Sequence, residues 1–183
     1  MAEWLERRFG ADVTWLPFDL HPEYPPEGIR REQLHARYGS SFHDGLGARF
    51  AEEGLAYNPP PEVVPNTMRA LRVTELARER GLHGAVHDRL MDAYWEEGRN
   101  IGDPGELRSL AVEAGLDAGE VDAVLGGDVY RDRVQALTGQ AVSIGITGVP
   151  GFLLERRLLV LGAQPRTVFE RAFEQLSEAP PDP

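Results

Sequence analysis

The chain has 183 residues, 42% hydrophobic and 27% charged, with a formal net charge of −11 and no cysteine. That length supports one ample core, or one domain with another inserted into it, and the acidic balance argues against nucleic acid or an anionic membrane as the main partner. All 19 basic residues are arginine, which excludes P-loop and Schiff-base lysines, and the lack of thiols excludes cysteine nucleophiles, disulfides and zinc–thiolate sites within these residues. MAEWLERRFG (1–10) reads as the tail of a helix: Trp4–Arg8 and Leu5–Phe9 are i,i+4 pairs, Gly10 is a C′ stop, and no capping residue precedes it. It is neither a secretory nor a transit sequence, and no run approaches the roughly 20 apolar residues of a membrane span, so a cytoplasmic chain is expected.

VTWLPFDL (13–20) predicts a strand with apolar surface on both faces, and HPEYPPEG (21–28) a proline-rich loop. From there to about residue 142 the apolar period becomes 3.6, with helices expected near 29–38 and 43–53. NPPPEVVPNT is a second proline-rich loop, ending in Asn66 and Thr67, either of which can cap a helix over 67–80. A helix over 84–97 carries Val86, Leu90, Ala93 and Tyr94 on one stripe. Asp103-Pro104 is a cap followed by proline at the first helical position, opening a helix with Leu107, Leu110, Ala111 and Ala114 inward and Gly115 at its end. Asp117 and Asp128 are expected to cap two short helices holding Val121, Val124 and Leu125, then Val129, Val134 and Leu137.

GVPGFLLE and RLLVLG predict a hairpin over 149–161, opened by Val149-Pro150; proline has no amide proton for a ladder and belongs at a strand start or edge. A closing helix places Val168, Ala172 and Leu176 inward, and APPDP is a frayed tail.

This order, with WLPFDLHPEYPPEG, PNTMRALRV, AYWEEGRNIGDPGELRSLAVEAGLD and GITGVPGF…LLVLGAQP, resembles the FrnE-like branch of the DsbA family over nearly the whole chain. The same fold includes the 2-hydroxychromene-2-carboxylate isomerases and the kappa-class glutathione transferases. The resemblance implies an α/β, thioredoxin-like fold with a large helical insertion, residues 1–28 and 143–183 forming the thioredoxin-like domain and 29–142 the insertion. It also implies a cis Val149-Pro150 bond, which turns the Val149 N–H and C=O outward toward an extended peptide or glutathione. Substrate-binding residues carried over on this basis are Thr147, Gly148, Val149, Pro150, Asn66 and Gln164.

The family's fold opens with a strand and then C-x-x-C, or a lone serine, at the N-terminus of the first helix, where amides and dipole lower a thiol's pKa. The resemblance begins only inside that helix, so no catalytic residue is carried over. The implied first strand belongs between 13–20 and 150–155. Without it two strand edges lose their partners, at roughly 1–3 kcal/mol per buried unsatisfied group. The expectation is that strand and motif lie upstream of Met1; a second copy filling the slot as a homodimer, or closure of the flanking strands, are the alternatives.

Other constellations have plainer readings. His83 and His87 are i,i+4, but Gly84, Ala85 and Val86 between them leave no H-E-x-x-H glutamate; helix surface is expected and no metal. His21 sits in the proline-rich loop, and His35 and His43 flank RYGSSF at the surface. Ser40-Ser41 lack the G-x-S-x-G context. Glu52-Glu53 and Glu96-Glu97 diverge on their helices, and GGD (126–128) is a turn with a cap. Asn66 reads first as a helix cap, which needs no ligand, and second, by the resemblance, as a residue approaching glutathione. Gln164 either enters the last helix or helps to hold a carboxylate at its free amides.

Three functions are consistent with these residues. The first is a FrnE-like thiol–disulfide oxidoreductase acting on a peptide or small thiol, without its redox motif in these residues. The second is a glutathione-dependent isomerase or transferase, the only reading that brings a cofactor. The third is a non-catalytic peptide-binding module.

Overall fold

The computed structural model describes residues 1–38, 46–58 and 61–178. His43, Ser40-Ser41 and the APPDP tail lie outside them. The chain divides into two compact units. One comprises Met1–Leu20 and the chain from Leu137 onward; the other is the continuous segment His21–Ala136. Among the described residues no helix is long and apolar enough to cross a membrane.

The continuous unit is built on four helices: α4 (Met68–Glu79), α5 (His83–Trp95), α6 (Pro104–Glu113) and α7 (Ala118–Gly126). Each buries the stripe its 3.6-residue period predicts. Val73, Leu76 and Ala77 come from α4, Val86, Leu90 and Ala93 from α5, Leu107, Leu110 and Ala111 from α6, and Val121 and Val124 from α7. Two starts are fixed by capping aspartates, Asp103 accepting from the Glu106 N–H at 2.9 Å and Asp117 from the Glu120 N–H at 3.0 Å.

Arg72 holds this core by a different means. It is 2% exposed on α4, and its Nε donates to the Val129 carbonyl at 2.8 Å while Nη2 donates to the carbonyls of Val124 and Gly127. The end of α7 therefore receives the hydrogen bonds that its own ladder cannot supply.

The unit also contains α2 (Arg31–Tyr38), α3 (Leu46–Glu52) and a two-rung antiparallel ladder. In the ladder β1 (Ile29–Arg30) pairs Ile29 with Val64 and Arg30 with Val63 of β2 (Val63–Val64). These residues were expected in a helix and a loop, and two rungs are too short to leave an alternating pattern. Gly28 makes the approach possible: its φ is +84°, and a Cβ there would sit 2.5 Å from the Val64 carbonyl oxygen. Asp128 does not cap the next helix, α8 (Arg131–Ser143). Tyr130 intervenes at φ 66°, Val129 lies outside the helix and exposed, and the Asp128 carboxylate takes the Arg131 guanidinium at 2.6 Å instead.

The discontinuous unit packs α1 (Ala2–Phe9) and α9 (Arg166–Glu178) with a hairpin of β3 (Gly151–Leu154) and β4 (Leu158–Leu161). Phe169 is fully buried at its centre, edge-on to Phe152 at 4.9 Å and to Trp4 at 6.5 Å, while Phe9 stacks on Phe173 at 4.1 Å. The hairpin register runs from Gly151↔Leu161 to Leu154↔Leu158. It closes through Glu155 and Arg156, both at positive φ, with the Arg157 N–H donating to the Leu154 carbonyl at 2.9 Å. Positive φ at both central residues is the mark of a type I′ turn, here without its usual Asn-Gly.

No strand forms over 13–20, against expectation. A strand exists only with a ladder partner, and no described segment pairs with this one. The Asp19 N–H instead donates to Thr138 Oγ1 on α8, at 3.0 Å. Nor do 13–20 and β3 close on each other into a rearranged sheet.

Candidate functional site

The entry to the hairpin is built from the end of α8 onward. After Ser143 the chain turns through Gly145, at φ +95°, and runs through exposed Thr147 and half-buried Gly148 to exposed Val149 and Pro150. The Val149–Pro150 peptide bond is cis. Ile146 pins this run by lying where a Gly151 side chain would be, its Cγ2 only 2.9 Å from an added Cβ. On the other side, the Pro150 carbonyl accepts from the Gly162 N–H at 2.8 Å, closing the mouth of the hairpin.

Val149 is left 55% exposed, and among the described residues neither its N–H nor its C=O enters a backbone hydrogen bond. Within β3, Leu153 is 45% exposed while Leu154 is buried, the alternation of a strand with one open face. β3 has β4 on one edge and no strand on the other among the described residues. Period-two alternation within GFLL is the sequence signal that separates Leu153 from Leu154.

Gln164 lies just beyond the mouth of the same hairpin, two residues after Gly162. It is exposed, and its Nε2 donates to the Leu161 carbonyl at 2.8 Å, bracing the turn into α9. On the β4–α9 side a cavity of about 260 Å³ is lined by Leu158, Val160, Val168 and Ala172, with Arg171 and Gln175 as its polar walls. It brings no nucleophile or acid–base pair.

Asn66 belongs to the continuous unit and is not the formal cap of α4, a place taken by Thr67 without a side-chain hydrogen bond. The Asn66 side chain works in both directions: Oδ1 accepts from the Met68 N–H at 3.0 Å, and Nδ2 donates to the Tyr24 carbonyl at 2.7 Å. It ties the proline-rich loop to the start of the helix. His21, in that loop, stacks on Tyr24 at 4.3 Å with Nδ1 3.0 Å from Glu23.

His83 is pushed below the usual histidine range, first by burial and then by Arg78 and His87. The neighbouring surface carries a linked set of ion pairs. Arg89 reaches Glu97 at 2.8 Å and Glu113 at 2.9 Å, and Arg99 reaches Glu106 at 2.6 Å. The Arg89 hydrogen bonds hold both Glu97 and Glu113 below the usual carboxylate range.

All three shifts are downward, so each group stabilises the fold above its unfolded pKa and loses that contribution as pH falls through its folded one. The melting temperature of the helical unit is therefore expected to fall in two stages on acidification. The first begins below about 6.5, the ordinary value for His83, and the second below about 4.5. Melts followed by circular dichroism across this range test it, and His83→Gln should remove the upper stage alone. A flat profile down to about pH 4 would contradict the assignment of His83.

The likenesses to known proteins agree with this architecture. The DSBA-like thioredoxin domain matches residues 1–174. "Uncharacterized protein YwbO" of Bacillus subtilis (strain 168) is 29% identical over 165 residues, spanning 89% of this chain and 81% of that protein. The crystal structure of the probable DsbA oxidoreductase SCO1869 from Streptomyces coelicolor superposes with a TM-score of 0.87 at 37% identity, covering 97% of this chain and 80% of that one. A 2-hydroxychromene-2-carboxylate isomerase superposes over 96% of this chain and 86% of its own, with a TM-score of 0.69 at 16% identity, a likeness of fold alone. With its cis proline opening the late hairpin and its helical block between residues 21 and 136, the chain belongs to the DSBA-like thioredoxin domain family and has the thioredoxin-like DsbA fold.

Proposed function

We propose that these residues form the substrate-docking part of a FrnE-type thiol–disulfide oxidoreductase, binding an extended peptide along the Val149 backbone and the open edge of β3. The observation that carries this is the exposed, unladdered Val149 next to a strand edge with no neighbour among the described residues. A peptide adding to such an edge gains main-chain hydrogen bonds, and side-chain contacts at alternate positions give it specificity. Leu153, exposed on β3, supplies an apolar contact. The chain has no cysteine, so the sulfur chemistry falls to thiols outside these 183 residues. The run LGAQP before α9 favours the FrnE-type reading over a glutathione-using one. The Asn66 side chain, occupied at both ends by protein partners, gives the glutathione reading no support.

The test is an amide-shift titration of the full chain with a short, extended, cysteine-free peptide. Shifts concentrated at Val149, Gly151 and Leu153 are expected. Leu153→Asp should weaken binding about tenfold, the equivalent of losing burial of one leucine. Shifts confined to other regions, or an unchanged affinity in Leu153→Asp, would refute the site.

A further inference from the structure

β4 has β3 on one edge and, among the described residues, no strand on the other. In an antiparallel pair, residues that exchange ladder bonds alternate with residues that turn their polar groups away. The Gly162 N–H donates to the Pro150 carbonyl, so along this register Val160 and Leu158 bond to β3 and Leu159 faces outward. Among the described residues no backbone hydrogen bond outside the hairpin uses the Leu159 N–H or C=O.

The cavity of about 260 Å³ beside α9 follows this free edge. Leu158, Leu159 and Val160 line it in succession, which one face of a strand cannot do because successive side chains alternate. Its other wall is a single stripe of α9, with Val168, Arg171, Ala172 and Gln175 at i, i+3, i+4 and i+7. Val160 and Ala172 are buried and Leu158, Leu159 and Val168 half-buried, whereas Arg171 and Gln175 are exposed. The space is thus apolar in its body and polar along one side. It lies just below the roughly 300–1,000 Å³ of sites for drug-sized ligands, so it suits a short chain.

Charge fixes the polar end of the occupant. The lining contains no carboxylate. Arg171 makes no ion pair among the described residues, although Glu170 and Glu174 share its helix. By contrast Arg80, Arg89, Arg99, Arg108 and Arg133 of the helical unit are each held by a carboxylate. Gln175, one turn beyond Arg171, has no hydrogen-bond partner among the described residues either. A guanidinium and an amide on one helix face, together with the Leu159 N–H, offer donors to an anion.

We propose that the β4–α9 cavity binds a short-chain aliphatic carboxylate, its carboxylate on Arg171 and Gln175 and its chain along Leu158, Val160, Val168 and Ala172. The site uses the free edge of β4 rather than that of β3, and it is independent of the peptide-docking reading.

The experiment titrates the full chain with sodium octanoate at near-neutral pH and constant ionic strength, followed by amide shifts. Saturable shifts at Leu159, Val168, Ala172 and the Gln175 side-chain amide are expected, with a Kd on the order of 1 mM for so small a ligand. Octanol, which lacks the charge, and butyrate, which lacks the chain, should each bind at least tenfold more weakly. Arg171→Met should weaken octanoate at least fivefold with the melting temperature unchanged, and Arg171→Lys should retain most of the affinity. Equal binding of octanol, unchanged affinity in Arg171→Met, or no saturation by about 10 mM octanoate would overturn the site. A dimer that Val168→Asp dissociates would assign this edge to a second copy, and tighter binding of an extended acidic peptide at Leu159 would assign it to an added strand; either result would also overturn it.

Discussion

Arg72→Met is expected to cost the helical unit about 3–5 kcal/mol, because it leaves buried carbonyls without donors. The methionine fills most of the volume but offers nothing to Val124, Gly127 or Val129, whose carbonyls all receive the Arg72 guanidinium. The cost thus comes chiefly from unsatisfied acceptors rather than from a cavity. Arg72→Lys separates the two contributions: an ammonium reaches at most part of this divergent set, so it should recover some stability and not all. Urea unfolding of the two variants measures the effect as a lowered midpoint at constant slope. If methionine proved as stable as arginine, the end of α7 would have to be held by something other than Arg72.

The second large effect belongs to the discontinuous unit. Phe169→Ala should destabilise it by about 3–5 kcal/mol, the usual range for a fully buried phenylalanine. Edge-on contacts with Phe152 and Trp4 are lost together with the buried surface. Phe152 lies on β3, so loosening Phe169 also frees the strand that follows Pro150. Amide exchange should therefore accelerate along Gly151–Leu154 and β4 in this variant, and peptide-induced shifts at Val149 should fade. Phe169→Leu, which keeps most of the volume, should retain both. Exchange rates unchanged along the hairpin would show that Phe169 does not support β3.

Much of this architecture was legible from residue pattern. The helices α5 to α7 follow from three- and four-residue spacing of Val86, Leu90, Leu107, Leu110 and Val121, sharpened by Asp103-Pro104 and Asp117. The hairpin follows from two apolar runs of matching length, and Val149-Pro150 marks its entrance. The segment 13–20 misled because Val13, Trp15 and Phe18 have strand-forming side chains, and strand preference depends on having a partner. Arg72 was hidden because an arginine within MRALRV looks like a solvent-facing position until α7 ends over it. The turn at Glu155-Arg156 gave no signal, since neither residue is a usual choice for positive φ. At the hairpin entrance, pattern marked Pro150 as a strand start but could not reveal that Asn66 spends both ends of its amide on Tyr24 and Met68.

The division of the chain bears on how it comes off the ribosome. His21–Ala136 is uninterrupted, so its four main helices can find one another while later residues are still being translated. Phe9, by contrast, must wait for Phe173, more than 160 positions later, before their stacked pair can exist. Loop closure over such a span is slow, and until it happens Trp4, Leu5 and Phe9 remain accessible to chaperones and to neighbouring nascent chains. The vulnerable moment in the biogenesis of these residues is thus the delay between the exit of α1 and that of α9.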